Sequence, residues 1–298
     1  MDLNKKAILA SLLGNIIFGF SFLFSSVALE YAQPFVLLSI RFILAFLVLS
    51  LVLRFSKTPF SLKGKPVAKL VILGLLQPVL YFIFESYGIA MTSSSFSGIM
   101  LGLAPVAGLI FGAVFLKERC TLFQAVCTVA SVVGVALTTT GGIGTISLPG
   151  FLLLVGAVFT ASLFAIVSRD VAPYFTAFER TYVMFLLGSV FFTAAALIQT
   201  GGSLSATLAP LAIPSFWGAL IYLAVISSVC AFTLLNYALS SLTAGQALIF
   251  TNLVPVVSLL AGIFIMGDTF SPLQLVGILV ILVSVFGVSF QSAKDSNQ

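Results

Sequence analysis

Leu103-Ala-Pro105-Val106-Ala-Gly-Leu109-Ile-Phe-Gly112 and Leu253-Val-Pro255-Val256-Val-Ser-Leu259-Leu-Ala-Gly262 are one pattern written twice, 150 residues apart. The register extends without a gap from 87–137 over 237–287, where Tyr87 meets Tyr237, Gln124 meets Gln274 and Glu118 meets Asp268. Apolar helices coincide easily at leucine and valine. Coincidence of proline, glycine, tyrosine and glutamine in one register is much harder to obtain by chance. Earlier in each half a second register, at offset 139, sets 34–41 on 173–180, so that Arg41 falls on Arg180, with Phe46 on Phe185 and Ser50 on Ser189. The 11-residue difference between the offsets fits a longer connection between the seventh and eighth apolar segments.

Working outward, the chain is 60% hydrophobic and only 7% charged, with mean hydropathy +1.25. A soluble domain has roughly a quarter of its residues charged, so this composition cannot make a water-facing surface. A bilayer crossing takes about 20 apolar residues. Apolar runs fall near 7–29, 34–54, 67–89, 93–116, 121–141, 148–168, 175–199, 214–236, 243–266 and 271–291. The fold expected is an all-α membrane protein of ten transmembrane helices, with residues 1–144 and 145–298 as two five-helix repeats and no room for an extramembrane domain. Five crossings is an odd number, so the second copy enters the bilayer from the opposite side and the repeats are inverted. The first run, 7–29, exceeds the 7–15 residues of a signal-peptide core and is read as a retained helix.

The net charge of +5 does not point to nucleic acid, because the basic residues sit at helix ends. With a cytoplasmic N-terminus, Lys5, Lys6, Arg54, Lys57, Lys63, Lys65, Lys69, Lys117, Arg119, Arg169 and Lys294 are all inside, whereas Glu30 and Asp268 are outside. This is the asymmetry of the positive-inside rule, and it predicts both termini in the cytoplasm and a location in the cytoplasmic membrane. Inverted repeats recur in secondary transporters, where one half rocks against the other around a midplane site.

The Gly-Phe-Ser-Phe stretch at 19–22, Arg41, Tyr87-Gly-Ile-Ala-Met-Thr-Ser-Ser-Ser-Phe, Ala104-Pro105-Val106 and Leu116-Lys117-Glu118-Arg119 resemble the EamA family of the drug/metabolite transporter superfamily. In the second half Asn252-Leu253-Val254-Pro255-Val256 resembles the matching pattern, with Gly267-Asp268 where the first half has Lys117-Glu118. The resemblance covers nearly the whole chain. It implies a ten-helix carrier of small metabolites, often an exporter of amino acids or related compounds, with a central cavity between the halves. A monomer suffices, since the chain is a fused pseudo-dimer.

Charges inside predicted spans need a reason. Glu85 follows Tyr81 at i, i+4, and Gln77 extends the same stripe, so one helix face presents them together. A carboxylate there could bind a cationic group, carry a proton, or make a structural hydrogen bond. Arg41 and Arg180 lie about two turns inside their spans; Arg41 either lines a vestibule or snorkels to headgroups, and Arg180 is expected to contact another helix. Arg180 and its neighbour Glu179 point about 100° apart and are not expected to pair directly. Asn15 sits near midspan in the first helix, with a cavity or an interhelical hydrogen bond as its two readings. The substrate-binding candidates are thus Glu85, Tyr81, Asn15, Arg41 and Arg180. Pro105 and Pro255 each remove a backbone hydrogen bond in mid-helix and should bend both helices. Equivalent bends in inverted halves suit hinges, though they would also serve static packing.

Other functions fit less well. The chain has no histidine and an odd three cysteines, Cys120, Cys127 and Cys230. That removes histidine-based nucleophile pairs, histidine-ligated metal and a disulfide framework. No cofactor or metal is expected. A membrane-embedded enzyme or a receptor is the alternative to a carrier, and a channel would favour rings of like charge that are not found.

Overall fold

The computed structural model describes residues 3–55, 60–115, 121–140, 147–242 and 250–295. Lys57, Lys117, Glu118, Arg119, Cys120 and position 145 lie outside the described residues, as does the side chain of Lys294.

All regular structure among the described residues is helical. In chain order the apolar helices are α1 (Lys5–Leu29), α2 (Pro34–Phe55), α3 (Val67–Ala90), α4 (Ser94–Phe111), α5 (Leu122–Thr138), α6 (Leu148–Val171), α7 (Ala177–Gln199), α8 (Pro214–Ser240), α9 (Leu253–Met266) and α10 (Pro272–Val288). Seven are long and apolar enough to cross a membrane, and the apolar stretches given for α5, α9 and α10 are shorter. Each predicted span thus holds an apolar helix. A short helix, Leu204–Leu208, and a 3-10 turn, Ala209–Ala212, fill the connection before α8.

Local chemistry sets several boundaries. Ser93 accepts a hydrogen bond from the Phe96 N–H to start α4. Thr176 and Glu179 form a reciprocal capping box at the start of α7, which satisfies backbone donors that a helix N-terminus would otherwise leave open. The αL residue Gly267, at φ +73, closes α9. The eighth helix runs past the expected end at 236, because Asn236 is fully buried and hydrogen-bonded inside the bundle rather than facing water.

The packing is mainly between sequence-distant helices. The helix α2 packs along α7 and α5 along α10, while α1 packs on α8 and α9, and α6 on α3 and α4. The axial core is aromatic: Phe42 touches Phe82, Phe185 and Phe192 at centroid distances of 5.1–5.4 Å. Phe232 continues the layer against Phe18 at 5.0 Å and Phe185 at 5.6 Å. At the α5–α10 crossing an added Cβ on Gly277 would lie 2.7 Å from the Gly134 carbonyl oxygen, so this approach requires glycine. Large apolar side chains such as Val129, Val132, Leu279 and Val283 remain exposed on the outer faces of that pair. This is the surface expected of helices whose solvent is lipid.

Candidate functional site

The third helix is where the site begins. Its regular geometry fails at Gln77, whose φ −146 and ψ 118 are extended, so that Leu75–Leu80 is a kink between two helical pieces, with Pro78 inside it. Regular helix resumes at Tyr81. The i, i+4 spacing then brings the Tyr81 hydroxyl within 3.0 Å of Glu85, donating to Oε1. The second carboxylate oxygen, Oε2, is buried without a hydrogen-bond partner, and Glu85 is only 3% exposed.

Arg41 reaches the same region from α2 and is 1% exposed. Its Nε donates to Ser228 Oγ at 2.9 Å and its Nη2 to Ser227 Oγ at 3.4 Å. The guanidinium carbon lies 4.4 Å from the Phe82 ring centroid and 5.6 Å from that of Phe42. Both serines are fully buried in a widened turn of α8, Tyr222–Ala231. The Phe82 ring under the guanidinium stands three residues before Glu85 on α3, which puts Arg41 and Glu85 in one neighbourhood, yet they are not within ion-pair distance. The ion pairs among the described residues are Lys65–Glu179 and Lys69–Asp170. Two opposite charges in a low-dielectric interior, near each other but not joined, can receive a ligand bearing both signs.

The remaining predicted residues are placed elsewhere. Arg180 is fully buried and donates to Ser168 O and Oγ at 2.9 Å, to the Asn236 carbonyl at 2.6 Å and to Ser240 Oγ. It clamps α6, α7 and α8 through neutral acceptors, and its Nε has no partner. Asn236 lies eight residues beyond Ser228 on α8, about 12 Å along the axis at 1.5 Å per residue, so the two arginines occupy different levels of the bundle. Glu179 turns away from Arg180 to Lys65, at 2.8 Å. Asn15 bonds within its own helix, to the Ser11 carbonyl at 2.7 Å. Pro105 and Pro255 are buried, and the helix is interrupted just before each, at 102–103 and at 252. There α4 and α9 meet: a Cβ on Gly102 would approach Pro255 Cγ to 2.7 Å, and Ser258 donates to the Ser94 carbonyl at 2.9 Å.

Sequence reasoning missed Ser227 and Ser228, which look like ordinary small residues of an apolar helix, and Phe82 as a wall for Arg41. The Ser-Ser dipeptide in a span was the one available signal. A cavity of about 400 Å³ lies between the α1–α2 turn, the end of α7 and the 204–213 connection, lined by Tyr31, Gln33, Val36, Gln199, Thr200 and Ile213. It is not lined by Arg41, Tyr81 or Glu85. Val36 is five residues from Arg41 on α2, so this opening and the charge pair occupy the same end of the bundle. At the other end the Lys65–Glu179 and Lys69–Asp170 pairs join the α2–α3 connection and the start of α3 to α7 and α6. Among the described residues no cluster of metal-ligating side chains occurs.

The EamA-like transporter family model matches residues 5–140 and 148–290. An uncharacterized transporter of Bacillus subtilis, YcxC, is 33% identical over 300 residues, covering 99% of this chain and 96% of that protein. A probable terminal-alkyne amino-acid exporter of Streptantibioticus cattleyicolor is 24% identical over 66% of this chain and 64% of that one. A protein of known crystal structure superposes with a TM-score of 0.70 at 17% identity, over 98% of both chains, a likeness of fold alone.

Proposed function

Because this chain belongs to the EamA-like transporter family, we propose that it is a secondary carrier that exports a small metabolite of amino-acid type across the cytoplasmic membrane by alternating access. The observation that carries this reading is the buried, unjoined pair Glu85 and Arg41, with Tyr81 fixing the carboxylate and Phe82 walling the guanidinium. An amino acid carries an ammonium for Glu85 and a carboxylate for Arg41. The name of the exporter relative supports that chemical type.

The halves, residues 1–144 and 145–298, are read as inverted repeats. The helix packing supports this, since exchanging each helix for its counterpart five places on turns α1 on α8 and α9 into α6 on α3 and α4. Pro105 and Pro255 then bend equivalent helices near the place where these meet, and each serves as a hinge for one end of the cavity. The described cations Lys5, Lys6, Arg54, Lys63, Lys65, Lys69 and Arg169 favour cytoplasmic termini. The opening at the α1–α2 turn then faces outward and the two ion pairs close the inner end. A carboxylate with one free oxygen also suits proton coupling. Asn15 and Arg180 act in helix packing in the described conformation, and Arg180 meets the substrate only if the inner end opens.

The test is counterflow in proteoliposomes with a panel of labelled L-amino acids and, as controls, amines and carboxylic acids. The full-length protein should exchange at least one zwitterion, and Glu85→Gln and Arg41→Gln should each weaken it. Exchange of amines or acids alone, unaffected by either substitution, would remove the pair from the site.

A further inference from the structure

Opposite charges buried close together normally join, because an unpaired charge in a low dielectric is costly. Here Arg41 and Glu85 stay apart, and something must hold them so. The Arg41 side chain is drawn to α8, where Ser228 takes its Nε at 2.9 Å and Ser227 its Nη2 at 3.4 Å, while Phe82 covers the guanidinium face at 4.4 Å. Glu85 keeps Oε2 unpartnered even with this cation in its neighbourhood. We infer that Ser227 and Ser228 are positioning residues that hold Arg41 off Glu85, keeping both charges free for a substrate that carries both signs. This rests on the carrier reading for its purpose, not for its geometry.

The backbone supplies an independent reason. Consecutive residues on a regular helix point about 100° apart, and a wider turn brings two adjacent serines nearer to one direction. The segment Tyr222–Ala231 is such a widened turn. A wide turn in an α-helix is uncommon and is often found at functional sites. Carried ten residues upstream of Tyr87, the offset of 150 sets Ser227 and Ser228 on Gln77 and Pro78, inside the kink of α3 at Leu75–Leu80. A departure from regular helix therefore occurs in both halves, an extended break in α3 and a widened turn in α8. In α3 it precedes the turn that offers Glu85, and in α8 it offers the two hydroxyls. The serines also tie the first half to the second, since Arg41 stands 187 residues from Ser228.

A direct measure of whether Glu85 is free is its modification by dicyclohexylcarbodiimide, a lipid-soluble reagent that adds to carboxyl groups, read by mass spectrometry on the purified full-length protein. The parent should label at Glu85, and Glu85→Gln should lose the label. In Ser227→Ala/Ser228→Ala the released guanidinium gains the carboxylate as partner, and labelling should fall about tenfold, as gaining a charge-assisted hydrogen bond implies. Ser228→Ala alone should fall less. With Arg41→Met the serine substitutions should have no effect. Alanine is smaller than serine, and a melting temperature near the parent's establishes the fold of each variant. No labelling in the parent, equal labelling in parent and double variant, or a fall that persists with Arg41→Met would overturn the inference. Labelling as expected in a protein that exchanges no zwitterion would uphold the positioning role and refute the transport reading.

Discussion

Replacing Glu179 by glutamine should open the end of the bundle that it holds shut. The carboxylate accepts Lys65 Nζ on both oxygens at 2.8 Å, the Ser61 N–H at 3.0 Å and the Thr176 N–H at 2.9 Å. Lys65 and Ser61 belong to the α2–α3 connection and Glu179 to α7, so this contact joins the two proposed halves. Glutamine keeps one oxygen for the capping box but loses the charge and turns an N–H group toward the ammonium. Hydrogen bonds to charged groups contribute about 1.5–3 kcal/mol, and the Lys65 side chain is 27% exposed, which favours the lower part of that range. If the pair exists only in the closed state, about 1.4 kcal/mol shifts the two-state ratio tenfold. The assay is thiol labelling of Thr181→Cys, fully buried beside the clamp, in a background lacking the native cysteines. Ser39→Cys, 1% exposed near the other end, is the control. Labelling at 181 should rise about tenfold with Glu179→Gln, and labelling at 39 should not. An unchanged rate at 181, or an equal rise at both, would refute the reasoning, the second because general loosening would then be the cause.

Gly277→Ala should destabilise the α5–α10 pair by about 1–3 kcal/mol, the usual cost of overpacking, because the new methyl meets the Gly134 carbonyl at 2.7 Å and the Thr138 N at 2.9 Å. Gly218→Ala, with nothing within 4 Å, is the matched control, and equal melting temperatures would contradict the crossing. Membrane-impermeant labelling should reach Ser205→Cys from outside intact cells and Lys63→Cys only after permeabilisation; the reverse pattern would invert the proposed orientation.

Much of the protein is written in local sequence. Hydropathy alone places ten apolar segments, because each bilayer-length run is judged by its own composition. The family is legible in Pro105 and Pro255 and in the stretch from Tyr87 to Phe96. The contact between Tyr81 and Glu85 follows from helical period, being i to i+4. What the tertiary structure decided is every partner beyond that range. Nothing near Arg41 in sequence says that Ser228 will hold it, nor that Lys65 will take Glu179, 114 residues away. The sequence leaves open what Asn236 bonds to, and the packing supplies Thr181 and Ser168. Arg41 and Arg180 fall on each other in the repeat register, yet one lies near a carboxylate with a free oxygen and the other is clamped by neutral acceptors. The sequence alone determined which groups must be buried, since that depends on the apolar run around them. Only the packed helices decided what each buried charge meets, because in a low-dielectric interior the neighbour, not the residue type, sets what a charge can do.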